Sequence, residues 1–160
     1  MSTKVYERLH IGDQDDCALG LCLAPGEAVV HCVKDPCHKR TVGYKGNLPT
    51  THPQYLAAQY RNDLFLNMID PPVPLFKQQS FQMFRQFVRD HYNAGDNVLV
   101  HCNQGASRAP SLAMLFLAKD LHVISDESYD KARNEFAAMY ERFMPAAGIE
   151  KYMREHWDEL

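Results

Sequence analysis

The sequence predicts an α/β domain in which a central, mostly parallel, twisted sheet is flanked by helices on both faces. Three observations lead there. Short runs rich in β-branched and apolar residues at 28–33, 64–69 and 97–102 read as buried strands. Segments with apolar residues at spacings of three and four separate or follow them, the mark of amphipathic helices. Strands joined through helices pair in parallel, and the crossovers cover the faces of the sheet. Nothing divides the chain: its 160 residues hold no repeat, low-complexity run or linker, and 46% apolar with 23% charged residues suits one soluble domain with its own core.

The first of these strands, 28–33, follows the turn signal Pro25-Gly26. After it, residues 34–62 are the least regular part, broken by Pro36, Gly43, Gly46, Pro49 and Pro53. An ordered connection of that length is often functional, and it is expected to form a rim over a site. The strand at 64–69 must stop at Pro71-Pro72, which can neither donate to a ladder nor extend one. Phe81, Phe84, Phe87 and Val88 then mark a helix that ends near Ala94-Gly95, and Gly95-Asp96 punctuates the entry to the strand at 97–102. A helix from about Pro110 through Leu121 is apolar nearly all round and hence central. Ser125-Asp126 reads as the N-cap of a third helix that carries Tyr129, Ala132, Phe136, Met139, Tyr140 and Phe143 and ends at Pro145. Ile149, Tyr152, Met153 and His156 suggest a short last one.

A formal charge of -3 offers no general attraction to nucleic acid or an anionic bilayer, so neither is an expected partner. No run approaches the roughly 18 apolar residues of a membrane span, and residues 1–8 lack the apolar core of a signal peptide. A cytoplasmic protein is expected. Five cysteines is an odd number, and a cytosolic thiol pool keeps most thiols reduced, so at least one should be free and open to reaction.

The decisive segment is residues 101–110, His-Cys-Asn-Gln-Gly-Ala-Ser-Arg-Ala-Pro. It leaves a predicted strand, holds Cys102 and Arg108 with five residues between them, and enters a helix near Pro110. A loop curled between a strand end and a helix N-terminus points successive N–H groups inward, here those of Asn103, Gln104, Gly105, Ala106 and Ser107, making an anion cradle that the helix dipole reinforces. Gly105 permits a backbone conformation that a side chain forbids. Arg108 adds a planar fork able to hold two phosphate oxygens at once. Pro110 sits where a missing N–H costs nothing. The field that binds a phosphate also favours a thiolate at Cys102. His101, the last strand residue, is expected to organise the start of the loop through hydrogen bonds.

A thiolate that attacks phosphorus must expel an oxygen leaving group, which needs a proton. Asp70 ends a predicted strand and precedes the stiff run Pro71-Pro72-Val73-Pro74, with Asp63 as the alternative. The C-terminal ends of neighbouring parallel strands face one crevice, so Asp70 and Cys102 can converge. The chemistry is then attack by Cys102 with proton donation from Asp70, followed by hydrolysis of the phosphocysteine with Asp70 as base. Arg108 and the loop amides hold the charge, so no metal or other cofactor is required.

Residues 101–108 resemble the signature of cysteine-based protein phosphatases, and Asp70 lies 32 positions before Cys102, as in the dual-specificity group. The resemblance extends to Leu9-His10-Ile11-Gly12-Asp13, which is similar to that group's first strand, to Asn67-Met68-Ile69-Asp70, and to residues 143–149 near the end. It implies a compact phosphatase-like domain, at residues 1–160, that hydrolyses phosphotyrosine, and phosphoserine or phosphothreonine as well, in proteins. Two features depart from the pattern. The residue after the arginine is often Ser or Thr, whose hydroxyl helps the sulfur leave, but here it is Ala109, so Ser107 or Ser111 would have to compensate. The segment 34–62 is also longer than in a minimal member.

Other readings compete with this one. The substrate could be an RNA 5′ end or a phosphoinositide, although no lysine stands in the loop to favour the latter, or the fold could capture phosphate without turnover. Cys17, Cys22, Cys32, Cys37, His31 and His38 invite a zinc reading, but four residues separate the cysteine pairs and His31 alternates away from Cys32, so core thiols and surface imidazoles are expected instead. Cys32 or Cys37 could form a reversible disulfide with oxidised Cys102. His38-Lys39-Arg40 with Lys45 forms a basic group that would draw acidic substrates.

Overall fold

The computed structural model describes residues 1–17 and 24–160; Cys22, expected as a core thiol, lies outside them. Six strands form a mixed sheet: β1 (Thr3–Tyr6), β2 (Leu9–Gly12), β3 (Glu27–His31), β4 (Ala57–Tyr60), β5 (Asp63–Leu66) and β6 (Asn97–His101). Their order is β1-β2-β6-β3-β5-β4. The central pairs β2–β6, β6–β3 and β3–β5 are parallel, whereas β1 and β4 close the two edges as antiparallel partners of β2 and β5.

The parallel centre is what the sequence predicts; the antiparallel edges are not among the strands it marks. Both are hairpin arms turning on residues with positive φ, Arg8 at 57° and Arg61 at 52°. Neither Thr3–Tyr6 nor Ala57–Tyr60 alternates strongly enough to read as a strand, and each is held chiefly by its neighbour's ladder. The expected strand at 64–69 is also shorter, ending at Leu66: Asn67 donates to the carbonyls of Leu56 and Tyr55, and the Met68 carbonyl meets Arg108 in the site described below.

Among the described residues five helices flank the sheet: α1 (Lys39–Val42), α2 (Gln78–Asn93), α3 (Arg108–Lys119), α4 (Tyr129–Met139) and α5 (Ala147–His156). Helices α2 and α3 lie against the sheet and each other, and α4 and α5 pack on α3. Every residue of α3 from Arg108 through Ala118 is buried, which confirms it as the central helix. The aromatic stripe of α2 (Phe81, Phe84 and Phe87) and Leu9, Val30, Leu64, Val98 and Val100 of the strands belong to one buried apolar core.

Helix α4 begins at Ser128 rather than Ser125. Ser128 Oγ accepts the N–H of Lys131, whereas Ser125 Oγ accepts that of Glu127 and so shapes the preceding turn. The helix stops at Met139, short of Pro145, because Tyr140 turns extended to reach the loop after β6.

The segment after β3 is ordered by a buried imidazole. His38 is 0% exposed, with Nδ1 2.8 Å from the Tyr44 hydroxyl and Nε2 2.8 Å from the Gln54 carbonyl. Burial, the largest influence, lowers its affinity for a proton. The expected surface imidazoles are therefore wrong for His31 (2% exposed) and His38 alike, and His38 adds nothing to an exposed basic group. Among the described residues no helix is long and apolar enough to cross a membrane.

Candidate active site

Cys102 leaves the end of β6 with 2% of its surface exposed, and the chain then curls to the start of α3. Four successive carbonyls of this curl are turned outward and held there. Asn103 O accepts the N–H of Gln14 (3.2 Å), Gln104 O accepts Arg142 Nη2 (2.6 Å), Gly105 O accepts the Tyr140 hydroxyl (2.7 Å) and Ala106 O accepts the N–H of Met144 (2.8 Å). With the carbonyls committed outward, the N–H groups of 103–107 take the other side. Among the described residues none of them donates to a protein acceptor. This is a nest for an anion, braced from outside.

Gly105 has φ +67°, and a Cβ there would come within 3.0 Å of the Gly12 carbonyl. Burial pushes the Tyr140 phenol up from its ordinary range, which keeps it a donor to Gly105.

Arg108 is 7% exposed and closes the curl. Its Nη1 donates to the carbonyls of Cys32 (3.0 Å) and Met68 (2.9 Å), the outlets of two neighbouring strands, and Nη2 donates to Asn103 Oδ1 (2.6 Å). Nε is buried without a hydrogen bond, 3.7 Å from Asp70 Oδ2. A rigid fork with both Nη arms anchored and the buried Nε donor unmet is built to receive an oxyanion.

Asp70 reaches the same place from the far end of β5. Besides facing Arg108, it accepts a hydrogen bond from Ser107 Oγ (3.0 Å), and Ser107 Oγ in turn accepts the N–H of Ala146 (2.9 Å). Ser107 is thus occupied in placing the carboxyl, not in replacing the hydroxyl that Ala109 lacks. Ser111 is fully buried, and its Oγ has no partner among the described residues. Asp63, the alternative acid, is buried on β5 against His31 Nε2 (2.8 Å) and takes no part in the loop.

His101 behaves differently from expectation. Its Nε2 faces His31 Nδ1 at 2.7 Å, on the neighbouring strand, and Nδ1 has no partner, so the imidazole does not bond into the curl. Cys32 is fully buried, and burial first, then the Cys102 charge, push its thiol well above the ordinary range.

The Asp70 segment is carried on α5. A Cβ at Gly148 would lie 2.2 Å from the Pro71 carbonyl oxygen and 2.4 Å from that of Val73, both backbone atoms that cannot swing away. Gly148→Ala is expected to destabilise the fold by about 1–3 kcal/mol and to lower kcat, because the segment that must shift carries Asp70. A thermal melt and a kinetic measurement on the same protein check this, and an unchanged melting temperature would contradict it.

A family model described as the dual specificity phosphatase catalytic domain matches residues 29–155. The chain belongs to that family. It is a cysteine-dependent protein phosphatase. Solved phosphatase folds agree with the architecture. The human tyrosine phosphatase-like serine/threonine/tyrosine-interacting protein is 19% identical, with 99% of this chain and 96% of that one covered and a TM-score of 0.67. A leucine rich repeat and phosphatase domain containing protein from Entamoeba histolytica is 12% identical, over 99% and 92%, at 0.65. Human DUSP28 is 14% identical, over 99% and 93%, at 0.66. At these identities the likeness shows the fold.

What sequence reading missed in this phosphatase is the outer brace: Gln14, Tyr140, Arg142 and the N–H groups of Met144 and Ala146. Tyr140 sits at helical spacing and reads as core, so its commitment to Gly105 leaves no mark in the pattern. The tail at 143–149 carries no periodic signal of its own, and its physical role is to hold the loop and the acid segment together through Met144, Ala146 and Gly148.

Proposed function

We propose that this phosphatase hydrolyses phosphomonoesters on protein side chains, on phosphotyrosine and also on phosphoserine or phosphothreonine, through a phosphocysteine on Cys102. The observation that carries the reading is the outward anchoring of the carbonyls of 103–106, which leaves the N–H groups of the curl between Cys102 and Arg108 without protein acceptors among the described residues, with Arg108 Nε also unmet. The substrate's phosphate takes those donors. The Cys102 thiolate then attacks phosphorus, forming the S–P bond as the P–O bond to the side chain breaks, and the departing oxygen takes its proton from Asp70. In the second step the Asp70 carboxylate accepts a proton from water, whose oxygen attacks phosphorus while sulfur leaves as thiolate. Donors preorganised for the transferring phosphoryl group stabilise both transition states.

Peptide substrates are favoured by the surroundings. A cleft of about 630 Å³ runs from Ile69, next to Asp70, past Leu75, Leu48 and Tyr55, with Lys34 and Lys77 at its margin. Ile69, Val73 and Leu75 are exposed large apolar residues beside the acid. Such a trough suits residues flanking a phosphorylated side chain.

The test uses a panel of phosphotyrosine, phosphoserine and phosphothreonine peptides, a phosphoinositide and a 5′-triphosphate RNA. The peptides are expected to turn over fastest, and preference for the lipid or the RNA would reject the assignment. For the acid, Asp70→Asn is expected to lower kcat about 10²-fold or more on phenyl phosphate, and distinctly less on an ester whose leaving group needs no proton. Equal losses on both would remove Asp70 from that role.

A further inference from the structure

A second constellation lies behind the phosphate loop. The geometry points to a buried zinc-type metal site made by Cys17, His31, Cys37 and His101. One ligand atom from each lies within 4.8 Å of all the others. The four come from different segments that converge at the C-terminal ends of adjacent parallel strands. His31 and His101 end β3 and β6 and are paired in register, so their rings share one face of the sheet. Cys17 follows the turn Gln14–Asp16 after β2, and Cys37 belongs to the wound segment Lys34–His38 after β3.

The ligand spacing is close to that of a tetrahedral ion without yet matching it. Bonds of about 2.05 Å to nitrogen and 2.3 Å to sulfur place neighbouring ligands about 3.6 Å apart for nitrogen and sulfur, about 3.8 Å for two sulfurs and about 3.3 Å for two nitrogens. His31 Nδ1 is 3.5 Å from Cys17 Sγ. The imidazole edge is 2.7 Å, a length at which the two rings share a proton, and it must open by about 0.6 Å to admit the ion.

A second observation is independent of these distances. His31 turns Nδ1 into the cluster while Nε2 meets the buried carboxylate of Asp63 at 2.8 Å, the outer partner that fixes a metal-ligating histidine in the correct tautomer. The third is burial: Cys17 is 9% exposed, Cys37 7%, His31 2% and His101 0%. Two thiolates neutralise a divalent ion, so the complete site carries no net charge into the interior, and thiolate with imidazole is the donor set that zinc takes. Four protein ligands leave no open position, which makes the site structural. Binding releases the two thiol protons and moves the His101 ring proton from Nε2 to Nδ1, a buried atom that has no partner among the described residues.

The consequence for the active site is mechanical. His101 immediately precedes Cys102, and Gln14 links the cluster to the loop, with Nε2 3.6 Å from Cys37 Sγ and its backbone N–H on Asn103 O. The ion would tie the start of the phosphate loop to three other segments. Spacing along the chain concealed this, because no two of the four ligands form a short motif.

The experiment is cobalt titration of the reduced, chelator-treated full chain, read by absorption and not by activity. About one equivalent of cobalt is expected to bind with the intense ligand-field bands of a tetrahedral site and thiolate charge transfer. About one equivalent of zinc should displace it and raise the melting temperature. Cys37→Ser and Cys17→Ser should each lose the charge-transfer intensity and the zinc-dependent rise in Tm, while Cys102→Ser keeps both. A weak octahedral cobalt spectrum or substoichiometric binding in the unmodified chain would overturn the proposal whether or not the variants fold. So would a spectrum that survives Cys37→Ser or depends on Cys102.

Discussion

Cys102→Ser is expected to abolish turnover, lowering kcat by more than about 10⁴-fold, while binding of a phosphopeptide stays within a few fold of the parent. Cys102 has 2% of its surface exposed, and a hydroxyl is smaller than the thiol it replaces, so it fits without disturbing the neighbours. What the hydroxyl lacks is acidity: an alcohol is a far weaker acid than a thiol and keeps its proton without a base beside it. The donors that hold the phosphate are not on this side chain. In the proposed mechanism they are the N–H groups of 103–107 and the fork of Arg108, in a loop braced by Tyr140, Arg142 and Met144. The variant should therefore behave as a substrate trap. Initial-rate assays together with calorimetric binding of a phosphotyrosine peptide measure the two halves. Turnover within about tenfold of the parent would remove Cys102 from the chemistry, and loss of binding would show that the sulfur, not the loop, supplies the affinity.

Arg108→Lys is expected to lower kcat/KM by about 10³-fold or more, through a fall in kcat and a rise in KM together. One guanidinium does three things here. Nη1 satisfies the carbonyls of Cys32 and Met68, Nη2 meets Asn103, and Nε is left for the phosphate. A single ammonium cannot span those positions, because its donors radiate from one atom and lie outside any plane. Two carbonyls that end buried strands would lose their charged donor, so stability should also fall, by about 1–3 kcal/mol. A thermal melt beside the kinetics separates the effects. A lysine variant that shifts KM alone and melts with the parent would mean that Arg108 neither clamps the transition state nor closes the sheet end.

Ala109 sharpens the expectations for the second step. Its methyl group cannot donate to a departing sulfur, and Ser107, two positions before it, is fully engaged between Asp70 and Ala146. Only Ser111, buried with an unmet Oγ, remains of the two serines considered for that duty.

Much of this was legible in the sequence, and for a definite reason. The candidate catalytic loop is a local object: a β-branched run, a cysteine where it ends, a glycine at the tightest bend, an arginine and a helix start all fall within residues 97–110. Its chemistry follows from neighbours in the chain, so residue types and spacing suffice. The parallel centre of the sheet and the central helix were legible similarly, because burial on all sides leaves long apolar runs. Where the reading failed, contacts between distant residues had overridden local signals. Met139 rather than Pro145 ends α4 because Tyr140 is drawn to Gly105, and β1 and β4 exist because β2 and β5 offer them ladders.

By itself the sequence determined the identity of the chemical groups and the order in which one short loop presents them. Tertiary structure decided which groups meet. Ser107 is 37 positions from the Asp70 that it holds, and His31 is 70 from the His101 that it faces. Pairs so far apart carry no periodicity, since each residue obeys only the pattern of its own element. Their meeting is set by strand order and register, which arise when the whole core is buried at once.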